Sequence, residues 1–258
     1  MNKDIIVLSE ALTVSMADEW FDIATADHFW MQWRFHVIKN ELKKKADIKP
    51  GMKFLEIGCG HGQFLKQCQG VLSEAVDGCD LNVYALKKIE DAQGDIYVYN
   101  IHDRNAQMLE KYNGVFLLDV IEHIDDDSAF LRDALAHLKP GGLIVINVPA
   151  LRFLFSKYDV VAGHKRRYSV KQIHTLLESC GLQPLYVGYW GFLLLPIAFV
   201  RKFMLMFIPK NKVIENGFSP QLSGINWLFK LLMKVELAIF SNPLLGTSVI
   251  GLAVKQSR

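Results

Sequence analysis

A glycine turn closing an apolar strand, followed by strands and helices in alternation, constrains this chain more than any other feature. Lys53-Phe54-Leu55-Glu56-Ile57 runs straight into Gly58-Cys59-Gly60-His61-Gly62, and a helix-period segment follows near 62–69. AVDGCD and a helix near 82–91 come next, then IYVYN, then GVFLLDV with a helix near 126–138, then LIVINVPA after the stop Lys139-Pro140-Gly141-Gly142. A helix from about Val170 to Ser179 ends at Cys180-Gly181, and LQPLYVGYW and SVIGLAVKQ read as the last two strands. This alternation predicts parallel βαβ units and a doubly wound, Rossmann-like α/β sheet. The 258 residues, 51% of them hydrophobic, suffice for one large domain with a full core. Residues 1–50 read as a helical prelude and 51–258 as the domain, with 191–246 a helical insertion before the last strand.

Glycines 58, 60 and 62 let the backbone turn tightly and let a ligand approach without a Cβ in the way. The order is G-x-G-x-G, and Gln63 stands where a dinucleotide fingerprint needs its last glycine. Glu56 points away from a diphosphate as well: a carboxylate there repels phosphate and suits a ligand carrying an ammonium and a sulfonium. Asp80, ending the second strand, stands where an acid accepts both hydroxyls of a ribose.

With these residues in this order, the sequence resembles the class I S-adenosylmethionine-dependent methyltransferases. LEIGCGHG looks like their first motif, GCDLN their second-strand acid, LLDVIEHI their fourth-strand motif and KPGGLIVINVPA their fifth-strand segment; the likeness covers about 52–190 plus the last strand. It implies a seven-stranded sheet with an antiparallel last strand, an N-terminal helical lid, and S-adenosyl-L-methionine as cofactor. It also implies that Gly58, Cys59, Gly60 and Gly62 line the cofactor and that Glu56 faces its amino-acid end. Asp80 would hold the ribose with Leu81 beside the adenine, Asn100 and Ile101 would meet the adenine edge, and Asp119 and Val120 would border the methionine moiety.

Methyl transfer from a sulfonium is an in-line displacement in which alignment alone can supply roughly 7–11 kcal/mol. A base is needed only where the acceptor must lose a proton, and histidine suits neutral pH. His164, in Gly163-His164-Lys165-Arg166-Arg167-Tyr168, is the first candidate, with Tyr168 as its orienter; His123, in Asp119-x-x-Glu122-His123, is the second. Arg166 and Arg167 suit bidentate pairing with phosphate or carboxylate. The stretch VPALRFLFSKYDVVAGHKRRY, and HFWxxxR in the prelude, resemble elements of methyltransferases acting on lipid-linked saccharide, isoprenoid or quinone-type substrates. The main reading assigns no metal. A competing one, from a resemblance to metal-assisted O-methyltransferases, makes Asp119, Glu122, His123 and His164 ligands for Mg²⁺ or Mn²⁺.

Phe192–Pro209 is apolar, but Arg201 and Lys202 at its centre, costing about 2.5–3.5 kcal/mol each, cancel its drive to span a bilayer. Ile225–Phe240 reads as an amphipathic helix with Asn226, Lys230, Lys234 and Glu236 on one arc and Trp227 on the apolar face. Residues 191–240 hold six basic and two acidic side chains, whereas the whole chain is only +2. Together these predict contact between 191–246 and an anionic membrane surface, with a buried cap or a homodimer face as the alternatives. The small net charge gives no expectation of nucleic-acid binding. Four cysteines without C-x-x-C spacing, and no signal-peptide pattern, predict a cytoplasmic protein, peripheral on the inner face of the membrane. The expected activity is methyl transfer from S-adenosylmethionine to an oxygen or nitrogen of an amphiphilic, membrane-associated acceptor. The alternatives are a metal-assisted O-methyltransferase of a soluble small molecule, and a non-catalytic interaction module on the same fold.

Overall fold

The computed structural model describes residues 4–12, 19–25, 27–69, 71–72, 75–218, 223–240 and 242–256. Its strands are β1 (Ile5–Val7), β2 (Phe54–Ile57), β3 (Val76–Asp80), β4 (Ile96–Val98), β5 (Tyr112–Leu118), β6 (Leu138–Pro149), β7 (Leu182–Trp190) and β8 (Ser248–Lys255). They form one sheet in the order β1-β4-β3-β2-β5-β6-β8-β7. β8 runs antiparallel between β6 and β7, and every other pair is parallel. The expected doubly wound sheet is thus present, with one strand more than expected. Ile5–Val7, in the stretch read as wholly helical, instead adds a parallel edge strand beside Ile96–Val98; three β-branched residues satisfy an open edge more easily than they nucleate a helix.

The sheet is covered on both faces, which is why its central strands read as unbroken apolar runs. Leu55, Ile57, Leu117, Ile144 and Ile146 pack on one side with Leu131, Ile173 and Leu177, from α5 (Asp127–Ala136) and α7 (Val170–Ser179). Phe54, Phe116 and Val145 pack on the other with Trp33, Ile38 and Phe64, from α2 (Phe29–Lys45) and α3 (Gln63–Cys68). The remaining helices are α1 (Glu19–Ile23), α4 (Val83–Leu86), α6 (Lys157–Ala162), α8 (Leu195–Met206), α9 (Val213–Phe218) and α10 (Ser223–Ile239). The helix expected near 82–91 closes after one turn, at Leu86.

The inward face of α10 mixes apolar and polar side chains: Met233, Phe229 and Leu237 pack on the core, Glu236 is buried and accepts from the amides of Gly191 (2.6 Å) and Leu193 (2.8 Å), and Asn226 accepts from the amide of Phe29 (3.1 Å). Trp227, Leu231, Val235 and Ile239 are left exposed. Among the described residues no helix is long and apolar enough to cross a membrane.

Candidate functional site

The chain crosses the sheet between β2 and β5, so the loops after these adjacent strands diverge and leave a crevice at their carboxyl ends. A cavity of about 310 Å³ lies there. Glu56, Gly58, Cys59, Gly60, Asp80, Leu81, Asn100, Ile101, Asp119 and Val120 all line it, as does His123. Gly62 does not; it caps α3 at φ 73°, supporting the turn from behind. The bare glycines are required by contact as well as by conformation. At Gly58 (φ +75°) a Cβ would meet Val120 Cγ2 at 2.6 Å, and at Gly60 (φ +53°) it would meet Phe21 Cε1 at 2.9 Å.

Asp80 fixes this loop, accepting from the Gly60 amide (2.8 Å) through one oxygen and from the Asn82 amide (2.8 Å) through the other. Each oxygen keeps a second lone pair for a ligand hydroxyl. Glu56 is buried, and its Oε2 has no hydrogen-bond partner. Burial raises its carboxyl from 4.5 to about 8, against the pull of Arg34 and with a further push from Asp80 and Asp119. Asp119 sits in the left-handed region at φ 59°, a cost that the surrounding contacts must hold in place. Arg34 Nη1 donates to its Oδ2 at 2.6 Å and Asn147 Nδ2 to its Oδ1 at 2.9 Å. Asn147 is fixed in turn by the Trp190 indole at 2.9 Å. The sequence marked Arg34 only as the arginine of HFWxxxR and gave Asn147 no role, because the three partners come from α2, the end of β5 and β6.

A second cavity, of about 660 Å³, shares Trp20 and Asp119 with the first and adds Glu122 and His164 to its wall. Its remaining wall is largely apolar and includes Leu194, Ile197 and Met204 from the insertion. The aromatic residues at the start of α2 divide: Trp33 is wholly buried, while Phe29 and Trp30 face this cavity.

The His164 ring is oriented by a residue the sequence did not suggest. Its Nδ1 lies 2.9 Å from Oδ1 of Asp159, a buried carboxylate that also takes both Nε (2.8 Å) and Nη2 (3.1 Å) of Arg167. Burial pushes the Asp159 carboxyl up, but His164 and Arg167 outweigh it and hold the group well below the usual carboxylate range. That leaves Nε2 as the nitrogen His164 offers to the cavity. Tyr168, expected as the orienter, faces neither cavity; its hydroxyl donates to Asp127 (2.8 Å), with the Ile121 carbonyl also within reach (3.2 Å). Arg166 and Arg167 are likewise committed within the protein, to Asp127 and Asp159. His123 stacks edge-on to His164 at 4.8 Å, and burial, with the neighbouring His164, lowers it to about 4, too weak a base for neutral pH. Ligand atoms of Glu122, His123 and His164 lie within 4.8 Å of one another. Asp119, the fourth ligand of the metal reading, is outside that group and paired with Arg34.

Strand order, glycine turn and second-strand acid together define the class I S-adenosylmethionine-dependent methyltransferase fold. The family model described as a methyltransferase domain matches residues 30–187, more than half of the chain, and the chain belongs to that family. Ubiquinone biosynthesis O-methyltransferase of Proteus mirabilis is 27% identical over 135 residues, which are 50% of this chain and 54% of that protein. The chain thus spans about half the length of that curated relative. A SAM dependent methyltransferase from Archaeoglobus fulgidus superposes with a TM-score of 0.52 at 20% identity, over 88% of this chain and 98% of the other. Haemonchus contortus phosphoethanolamine N-methyltransferase 2, solved with S-adenosyl-L-methionine, gives 0.52 at 20% identity over 86% of this chain and 52% of that one. The family makes S-adenosyl-L-methionine the cofactor and favours an enzyme over a non-catalytic module.

Proposed function

We propose that this chain transfers a methyl group from S-adenosyl-L-methionine to an oxygen or nitrogen of an amphiphilic acceptor, the first cavity holding the donor and the second the acceptor. The observation that carries this reading is the shared wall: a glycine-floored cavity and a larger one bounded by the insertion meet at Asp119 and Trp20. When bound, the cofactor supplies an electrophilic methyl. The chain's part is to bind and align. Glu56 Oε2, orphaned and buried, suits an ammonium, and Asp80 retains acceptor capacity for ribose hydroxyls. Arg34 and Asn147 fix Asp119 where donor and acceptor meet, and His164, held through Nδ1 by Asp159, takes a proton from the acceptor at Nε2. Phe21 against the glycine loop, and Trp30 above the second cavity, give the N-terminal helices the part of a lid.

The acceptor reaches the site from a membrane surface on which 191–246 rests. Support comes from apolar side chains turned outward on both long helices of the insertion and just beyond, with Phe207 86% and Trp227 66% exposed. A quinone precursor or a lipid-linked sugar fits an apolar cavity of this size, and the ubiquinone-pathway relative acts in the same substrate class. A homodimer through the same face is the competing use of it. The test is transfer of labelled methyl from S-adenosylmethionine to a membrane lipid extract. Wild type is expected to label an organic-phase product and Asp80→Ala to label it at least about tenfold more slowly, having lost hydrogen bonds to the ribose; label confined to water-soluble acceptors would overturn the amphiphilic reading.

A second reading keeps the cofactor and adds a divalent cation. Both Glu122 oxygens are buried without a partner, beside His123 and His164, and Asp159 orients His164 as outer carboxylates orient metal-bound histidines. These three side chains would hold the ion, which would polarise an acceptor oxygen. Activity abolished by EDTA and restored by Mg²⁺ or Mn²⁺ would favour it.

A further inference from the structure

Among the described residues, Arg201 is the one arginine at the two cavities that holds no carboxylate. It lies on α8 and lines the second cavity, on the insertion side. Its Nη1 donates to the Gly217 carbonyl at 2.6 Å and its guanidinium rests 5.0 Å from the centre of the Tyr158 ring. Its Nε is buried with no hydrogen-bond partner. Arg34, Arg166 and Arg167 each hold a carboxylate, whereas Arg201 has none among the described residues. The nearby ammonium groups are equally unneutralised: Lys157 donates to the Ile208 carbonyl and Lys202 to that of Phe153. A guanidinium keeps its charge at any physiological pH, so a half-buried one without a counter-ion is stabilised by an anion that reaches it.

The acceptor cavity is therefore polarised. Asp119 and Glu122 stand with His164 on the wall nearest the first cavity, Arg201 stands on the insertion, and Leu194, Ile197, Met204 and Ile208 supply apolar surface. Asp119 is already neutralised by Arg34, so an anion is drawn to Arg201, while an apolar body is accommodated between. We infer that Arg201 is the anion-binding group of the acceptor site, and that the acceptor carries a phosphate or carboxylate on an apolar body, away from the atom that is methylated. This rests on the proposed function for the nature of the cavity and narrows its substrate class.

The experiment titrates the full chain, saturated with S-adenosylmethionine, with dodecyl phosphate, dodecan-1-ol, dodecyltrimethylammonium and inorganic phosphate by calorimetry. Dodecyl phosphate is expected to bind at least about tenfold tighter than the alcohol or the cation, as one charge-assisted pair provides. Arg201→Met should erase that preference and Arg201→Lys keep most of it, with cofactor affinity within about twofold of wild type in both, since Arg201 does not line the first cavity. Equal affinity for phosphate and alcohol in wild type overturns the inference, as does a preference that survives in Arg201→Met. Inorganic phosphate binding as tightly as dodecyl phosphate overturns the amphiphile and leaves a simple anion site. Should Arg201→Met lose cooperative melting, the wild-type charge series and Arg201→Lys decide alone. A wild type that gives no heat with S-adenosylmethionine refutes the proposed function itself, a result distinct from loss of the charge preference.

Discussion

Cofactor affinity should follow the ionisation of Glu56. Burial lifts this carboxyl from 4.5 to about 8, which amounts to roughly 5 kcal/mol of preference for the neutral form. A ligand whose ammonium pairs with the carboxylate must first see the proton leave. Well below pH 8, affinity should therefore fall about tenfold per pH unit, and binding at pH 6 should be roughly 25- to 50-fold weaker than at pH 8. The ligand's own amine, with a pKa near 8, limits the gain at higher pH. Isothermal titration at pH 6.5 in two buffers of different ionisation enthalpy should report close to one proton released per ligand bound, and Glu56→Gln should abolish both the release and the pH slope. The unliganded protein should respond in the opposite sense. A carboxyl whose folded-state pKa exceeds its unfolded value lends its stability fully below about pH 4.3 and loses it as the pH rises to about 8, so the apo Tm should decline across that window. Affinity constant between pH 6 and 8, with no proton released, would refute the assignment of Glu56 to the ammonium.

Gly58→Ala forces a left-handed residue and a Cβ 2.6 Å from Val120 Cγ2, so it should cost roughly 1–3 kcal/mol of stability by denaturant titration and weaken cofactor binding beyond that. Asp159→Asn leaves the Arg167 guanidinium buried without its counter-charge, for about 3–5 kcal/mol, and should lower kcat by freeing the His164 ring. Because the folded-state pKa of Asp159 is depressed, its contribution is complete above about pH 4 and vanishes as the pH falls further, so the variant and wild type should converge in acid melts. Phe207→Ser combined with Trp227→Ser removes two outward rings, each worth roughly 2 kcal/mol on burial, and should cut co-sedimentation with anionic vesicles at least about tenfold while leaving cofactor affinity intact.

The donor pocket was legible in the sequence because its requirements are local. Positive φ at 58, 60 and 62 is a property of closely spaced residues, and Asp80 ends the short strand that follows that turn in the chain. The acceptor side was not, because its constraints join residues distant in the chain. Arg34 meets Asp119 across 85 positions, and the carboxylate that orients His164 sits within KYDVVA, where it reads as an ordinary helical acid. Tyr168 was chosen for its place in a motif, yet α7 begins two residues later and draws its ring under the loop toward Asp127. For α10, the 3.6-residue period does not foretell an inward side that mixes Asn226 and Glu236 with Phe229, Met233 and Leu237. Glu236 belongs there because the amides of Gly191 and Leu193 need a buried acceptor where the insertion leaves the sheet.

The distribution of unpaired polar atoms argues for a two-ligand site independently of any motif. Folded proteins pair almost all their buried polar groups, and here Asp159, Asn147 and Glu236 are fully engaged. Among the described residues, nine buried side-chain nitrogens and oxygens lack a partner, and seven of them belong to residues lining one of the two cavities. Arg34 Nε, Glu56 Oε2 and Gln63 Nε2 border the first; both Glu122 oxygens, Arg201 Nε and Thr247 Oγ1 border the second. Packing defects would fall anywhere in the core. Unsatisfied groups gathered around two adjoining spaces support the proposed two-ligand site, with Glu56 facing the donor's ammonium and Arg201 the acceptor's anion.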